Sequence, residues 1–269
     1  LRLILTPQYA VFLAFRQGDN QALFIKPHFL ETAWQFILYC AEPQKRELEK
    51  VSESKIYIFD SLARVYDSWF DEQGRLIFAS EVEALRQLLP LLPKPWIEVG
   101  VGSGRFAQAL EVDTGFDPSS KLSEIAKNRG ISVLLAKGEE MPFQDAVFGA
   151  VFLVVTLCFL DSPERTLNEV ARLLRTDGKV MLGLVLKESS WGRLYETRKE
   201  TGHHFYRHAL FHSYGEVRML LGRAGFSVEQ VVSTLFQNPG EVNHIESPRQ
   251  GFSPDAGFTV ILAGKTTTA

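Results

Sequence analysis

Three glycines at alternate positions, Gly100, Gly102 and Gly104, stand two residues after an acid, Glu98, at the point where an apolar strand pattern gives way to a helical one. Glycine lets the chain turn sharply and lets a ligand approach the backbone with no Cβ in the way, and the helix that follows offers free N–H groups at its positive end. The dinucleotide fingerprint places its third glycine one residue later; Arg105 occupies that place here. The spacing therefore favours a mononucleoside with an amino-acid tail over a dinucleotide. A second acid, Asp117 in Gly115-Phe-Asp-Pro-Ser119, ends the next apolar run. A carboxylate there can accept from both hydroxyls of a ribose, or cap the helix after Pro118, and the two roles are compatible. A third loop, Gly138-Glu139-Glu-Met-Pro-Phe143, lies where a purine ring would project.

Other chemistry-bearing residues lie outside these loops. Arg64, Tyr66, Asp67, Trp69 and Phe70 crowd one helical stretch before the glycine loop, which reads as a lid. A later insertion carries Trp191, Tyr195, His203, His204, Phe205, Tyr206, His208 and His212. The histidine spacings match no zincin pattern, so no metal site is expected. Tyr66, His204 and Tyr206 are the candidate catalytic groups, a His or Tyr of the insertion serving as base. A third segment, 235–257, holds Phe236, Gln237, Glu241, His244 and Glu246 and could close over an acceptor.

Strands are expected at 96–100, 114–117, 131–136, 147–155, 179–186, 227–234 and 258–263, with helices at 104–111, 119–129, 163–175 and 214–224. That alternation predicts an α/β fold: a Rossmann-like, doubly wound parallel sheet covered on both faces. Gly130, Gly178 and Gly225 each follow a helix, where a left-handed cap favours glycine. A longer helical stretch from Asp60 to Leu89 is expected to break at Gly74. Before it, turn chemistry between short apolar runs near 11–15 and 22–25, then helical spacing over 28–40, reads as a hairpin-plus-helix appendage. The expected domains are residues 1–55 for the appendage and 56–269 for the α/β domain.

The bulk properties narrow the partners. A net charge of −3 with no basic stripe argues against nucleic acid. The longest apolar run, Val151 to Leu160, is too short to cross a bilayer. Two cysteines, Cys40 and Cys158, form neither a disulfide framework nor a metal spacing. A cytoplasmic protein is expected, with a homodimer through the appendage as one use for it.

Taken in order, these pieces resemble the class I S-adenosylmethionine (SAM) dependent methyltransferases, in particular the small-molecule branch that includes the quinone-biosynthesis methylases (methyltransferase type 11). The resemblance covers about 60–265 and extends through Val154-Val-Thr-Leu-Cys-Phe-Leu160, Glu169-Val-Ala-Arg-Leu-Leu-Arg-Thr-Asp-Gly178 and Leu221-Gly-Arg-Ala-Gly-Phe226. It implies a seven-stranded sheet with the last strand antiparallel. Gly100, Gly102 and Gly104 would line the methionine part of SAM, with Glu98 supporting the loop and the amino group. Asp117 would bind the ribose and Pro118 pack on the adenine face. Gly138 and Glu139 would meet the adenine edge, and Val155 and Thr156 lie beneath the methionyl group. Two positions depart from the family pattern: Lys137 where an acid is frequent, and Phe148-Gly149 where Phe-Asp is frequent. The implied activity is methyl transfer to a small-molecule acceptor by in-line displacement. The alternatives are an NAD(P)-dependent oxidoreductase, which the glycine spacing opposes, and a non-catalytic SAM-binding or partner-binding module.

Overall fold

A computed structural model describes residues 54–266, together with a two-residue antiparallel pair, β1 (Leu13–Ala14) and β2 (Leu23–Phe24). The chain divides into two compact units, Leu1–Ser52 and Glu53–Ala269. The helix expected over 28–40 lies outside the described residues.

In the larger unit, apolar runs form strands, and the central ones such as Phe148–Val154 and Phe258–Lys265 are buried on both faces. β3 (Trp96–Val99), β4 (Thr114–Asp117), β5 (Ser132–Leu135), β6 (Phe148–Val154), β7 (Leu174–Leu184), β8 (Phe226–Thr234), β9 (Arg249–Gln250) and β10 (Phe258–Lys265) make one sheet in the order β5-β4-β3-β6-β7-β10-β8-β9. Strands β3 to β7 pair in parallel, and β10 runs antiparallel between β7 and β8. Eight strands stand where seven were expected. The extra one, β9, adds only Arg249 and Gln250 antiparallel to the β8 edge, too short to leave an alternating pattern in the sequence.

Helices α1 (54–61), α2 (Ala63–Trp69), α3 (Arg75–Arg86), α4 (Arg105–Leu110), α5 (Ser120–Asn128), α6 (Pro163–Leu173), α7 (Ser190–Glu200) and α8 (Tyr214–Arg223) cover the sheet. Two apolar layers result. One sets Leu85 of α3 and Leu88 just beyond it against Phe106, Phe152 and Phe258; the other sets Leu167, Val170 and Leu173 of α6 against Phe116, Val151 and Leu182. Each fully buried Leu or Phe contributes about 1.5–3 kcal/mol.

Local chemistry explains most boundaries. Ser162 caps α6, accepting from the Arg165 N–H, with Pro163 in the first turn. Ser213 and Glu216 form a reciprocal capping box on α8. Gly74 separates α2 from α3, and Gly130 and Gly225 take positive φ after α5 and α8, all as expected. Gly178 does not: it takes no positive φ and lies inside β7. The pairing with β6 jumps from Leu174 to Lys179, so residues 175–178 form an excursion within the strand. A Cβ on Gly178 would sit 2.9 Å from the Arg175 carbonyl, so glycine is required there for a different reason. Helix α6 correspondingly ends at Leu173. At Gly149 a Cβ would fall 2.2 Å from the Pro93 carbonyl, which explains why no aspartate occupies that place.

Candidate active site

Strand β3 ends with Glu98 and Val99, and the chain turns through Gly100, Gly102 and Gly104 at φ 68°, 54° and 80° before entering α4. Such angles disfavour any other L-residue. Space differs among the three. A Cβ on Gly100 would lie 2.4 Å from Thr156 Cγ2, and one on Gly104 would lie 2.9 Å from Ala126 Cβ. At Gly102 the nearest atoms belong to Tyr66, at 3.8 and 4.0 Å. Gly100 and Gly104 are thus packing glycines, while Gly102 is roomier: a side-chain atom there would meet only the Tyr66 ring, at ordinary contact distance.

Asp117 ends β4 beside this loop. Its Oδ2 accepts from the Gly102 N–H at 2.9 Å and its Oδ1 from the Ser119 N–H at 2.8 Å. At 7% exposed, the carboxyl is pushed up to about 6 by burial, against those two N–H bonds. Each oxygen keeps a lone pair for a ligand hydroxyl. Pro118 beside it is exposed. Glu98 is 1% exposed; burial, then the Asp117 charge, push it well up while an Ala107 N–H opposes. Its Oε2 has no partner among the described residues. Thr156 Oγ1 lies 3.1 Å from the Val154 carbonyl and 3.3 Å from that of Gly100, tying the end of β6 to the loop, and Val155 takes a positive φ of 53°. Gly138 is buried against Leu160 and Thr166. Glu139 Oε1 accepts from the Asp161 and Ser162 N–H groups at 2.9 and 3.0 Å, so it organises the entry to α6.

A feature that the sequence did not disclose pins the lid to the loop. Asp67 of α2 receives Arg105 Nε at 2.9 Å and Nη2 at 3.0 Å, and Arg129 Nη2 at 2.7 Å. Arg129 also donates to the Ser103 carbonyl at 2.6 Å. Burial raises the Asp67 carboxyl, but hydrogen bonds from Arg105, Arg129 and Ser103 outweigh it and hold it at about 2. Arg105, the residue that breaks the dinucleotide fingerprint, is therefore the clasp between glycine loop and lid. In the same region Asp60 accepts from Ser119 Oγ at 2.6 Å and from the Lys121 N–H at 2.9 Å, seating α1 on the start of α5.

Tyr66 and Val155 also border a cavity of about 300 Å³. Its walls include Phe70, Phe106, Leu157, Cys158, Phe205 and Phe211, with Tyr195 and Arg198 from α7 and Glu81 from α3. Tyr195 stacks on Tyr206 at 4.4 Å, and His203 stacks on Tyr206 at 4.6 Å. Burial, and then the charge of Asp117, push the Tyr66 phenol far up; burial likewise raises Tyr195 and Tyr206. None of these phenols is a base near neutral pH. Of the three candidate catalytic residues, Tyr66 and Tyr206 line the cavity, whereas His204 is exposed and does not. Its neighbour His203, and His212, do line it. Burial lowers both imidazoles, and His203 Nδ1 and His212 Nε2 have no partner among the described residues. No group of three or more potential metal ligands exists among the described residues.

A glycine turn at positive φ beneath Tyr66, an acid at the end of the next strand and an orphaned buried carboxyl oxygen together fit a nucleoside carrying an amino-acid tail. The comparisons agree. The methyltransferase-domain family model matches residues 97–182. A Thermotoga maritima SAM-dependent methyltransferase, described as a possible histamine N-methyltransferase, is 38% identical; the match covers 79% of this chain and 100% of that one, with a TM-score of 0.73. The uncharacterized protein Rv2003c of Mycobacterium tuberculosis is 40% identical over 75% of this chain and 71% of its own length. The uncharacterized protein MJ1123 of Methanocaldococcus jannaschii is 36% identical over 77% of this chain and 98% of its own. The chain belongs to the SAM-dependent methyltransferases, and SAM is its methyl donor; the oxidoreductase alternative falls away.

Proposed function

We propose that the protein transfers the methyl group of SAM to a small-molecule acceptor held in the aromatic cavity, in the cytoplasm. The observation that carries this reading is the cavity itself. Its lining comes in part from α2, α3, α7 and the 203–212 segment, and Tyr66 in its wall stands 3.8 Å from where a Cβ on Gly102 would lie. Its volume lies at the small end of ligand sites.

SAM supplies a methyl group already made electrophilic by its sulfonium. In this reading Gly102 leaves room for the methionyl chain, Asp117 accepts from the ribose hydroxyls, Glu98 faces the amino group, and Pro118, Gly138 and Glu139 border the adenine. The Arg105–Asp67–Arg129 clasp holds Tyr66 over the loop. What remains is to align the acceptor atom with the methyl and exclude water, and orientation of this kind is worth roughly 7–11 kcal/mol in favourable cases. His203 and His212, neutral and with free ring nitrogens, are placed better than His204 to take a proton from the acceptor. No helix among the described residues is long and apolar enough to cross a membrane.

Filling the cavity tests the reading. Cys158 lines it, its thiol pushed up to about 12 by burial and so not a nucleophile. Cys158→Phe should abolish methyl transfer while leaving S-adenosylhomocysteine (SAH) affinity within threefold of wild type. Unchanged turnover in a folded Cys158→Phe protein would place the acceptor elsewhere.

A further inference from the structure

One polar group in the cavity wall is unlike the others. Glu81 sits in α3, one helical turn after Ile77, on the same side of the helix. Ile77 packs on the Trp191–Tyr195 cluster, and Glu81 lines the cavity at 5% exposed. Its sequence neighbours Val82, Ala84, Leu85 and Leu88 are core residues. A carboxylate in such a place normally has a hydrogen bond or a counter-ion. Glu81 has neither among the described residues, and burial alone pushes it up to about 8. The position would accept an apolar residue at lower cost, and no described residue engages the carboxyl, so it is available to a bound partner.

The surroundings specify the partner. The aromatic rings of Tyr66, Tyr195 and Tyr206 share the cavity with Glu81. Aromatic faces attract cations, most strongly where water is excluded. Among the described residues Glu81 is the only acid in the cavity wall, and a cation bound beside its carboxyl, which burial holds protonated to about 8, favours the ionised form. The charged groups of opposite sign are few. Arg198 stands exposed at the rim and makes no ion pair with Glu81, while burial holds His203 and His212 toward the neutral form. The inner cavity is thus apolar and aromatic, with the Glu81 carboxyl as its one acid among the described residues.

We propose that the acceptor carries a cationic amine, with the Glu81 carboxylate as its counter-ion and the rings of Tyr66, Tyr195 and Tyr206 around it. The proposal rests on the small-molecule reading above and narrows it to one chemical class. It makes Glu81 a specificity-determining residue: a neutral compound of the same shape leaves the carboxyl unpaired and binds less well.

The test uses the full-length protein saturated with SAH, titrated calorimetrically with benzylamine, 2-phenylethylamine and tyramine, and with benzyl alcohol and 2-phenylethanol as neutral counterparts. At least one amine should bind at least tenfold more tightly than its alcohol. Glu81→Gln should weaken that amine on the order of 10- to 100-fold and leave SAH affinity within threefold. Glu81→Gln removes a buried charge with nearly the same shape, so it should fold; the wild-type comparison of amine with alcohol stands independently of it. Equal binding of amine and alcohol, equal amine binding by Glu81→Gln, or SAH binding with no amine binding would each overturn the proposal. A loss of SAH affinity in Glu81→Gln would assign the carboxylate to the methyl donor instead and also overturn it. Failure of wild type to bind SAH would strike the proposed function itself, and is read before any amine is added.

Discussion

Replacing Asp67 by asparagine keeps the shape of the clasp between lid and glycine loop and removes its charge. In the folded protein the Asp67 carboxyl is held at about 2, against 3.8 for a free side chain. If that difference were fully realised it would correspond to about 2.4 kcal/mol. Asp67 lies near the surface, where solvent screening reduces such pairs, so the expected loss is roughly 1–2 kcal/mol at neutral pH. Asp71 still engages Arg105, and the Ser103 carbonyl still accepts from Arg129, so neither guanidinium is stranded. For a unit of this size the loss lowers the melting temperature by roughly 2–8 °C. A depressed carboxyl stabilises fully above its unfolded value and loses that contribution as pH falls through its folded value. The gap between wild type and Asp67→Asn should therefore be largest above about pH 4 and close toward pH 2. Calorimetric melting from pH 2 to 7, with SAH titrations at pH 7, measures both halves of the effect. SAH affinity should weaken several-fold, since Tyr66 loses its anchor. A gap under about 0.5 kcal/mol at pH 7, or one that does not change with pH, would refute the reasoning.

Three further outcomes follow from the same geometry. Gly102→Ala has room, with the nearest atom at 3.8 Å, but must hold φ near 54°; it should cost only about 1–2 kcal/mol of stability while weakening SAH at least tenfold, read from melting and calorimetry on one sample. Asp117 ionises at about 6, so SAH affinity should fall as pH drops below 6 in wild type and stay flatter in Asp117→Asn. For Glu81, the unfolded side chain ionises near 4.5 while the folded one keeps its proton to about 8; the unfolded state then binds fewer protons and stability falls with pH across that window. Glu81→Gln should gain on wild type progressively from pH 4.5 to 8, by on the order of a few kcal/mol, and melting across that range measures it.

What the sequence disclosed is what local chemistry encodes. The glycine turn, Asp117 at a strand end and the split at Gly74 each depend on a few adjacent residues, and each stands where expected. Gly178 was misleading because the same Thr-Asp-Gly turn chemistry serves a helix end and an excursion in a strand, and only the pairing partners Phe148 and Ala150 distinguish them. Helix α7 went unnoticed because charged residues hide its apolar side, although Ser189, which accepts from the Gly192 N–H, was a legible start signal. Contacts between distant residues were beyond reach. Asp67 and Arg105 were each visible as chemistry-bearing residues, yet nothing in their spacing paired them. Glu81 resembled any charged residue on a helix until the fold buried it. His204 and His203 are neighbours in sequence, and only the stacking of His203 on Tyr206 decides which faces the cavity.

The central claim is that the methyl group goes to a small molecule inside the cavity. It is tested most directly by incubating the protein with methyl-labelled SAM and a cell extract separated into metabolite, protein and RNA fractions. The account predicts label in the metabolite fraction, dependent on enzyme and lost in Cys158→Phe. Label confined to protein or RNA would contradict it.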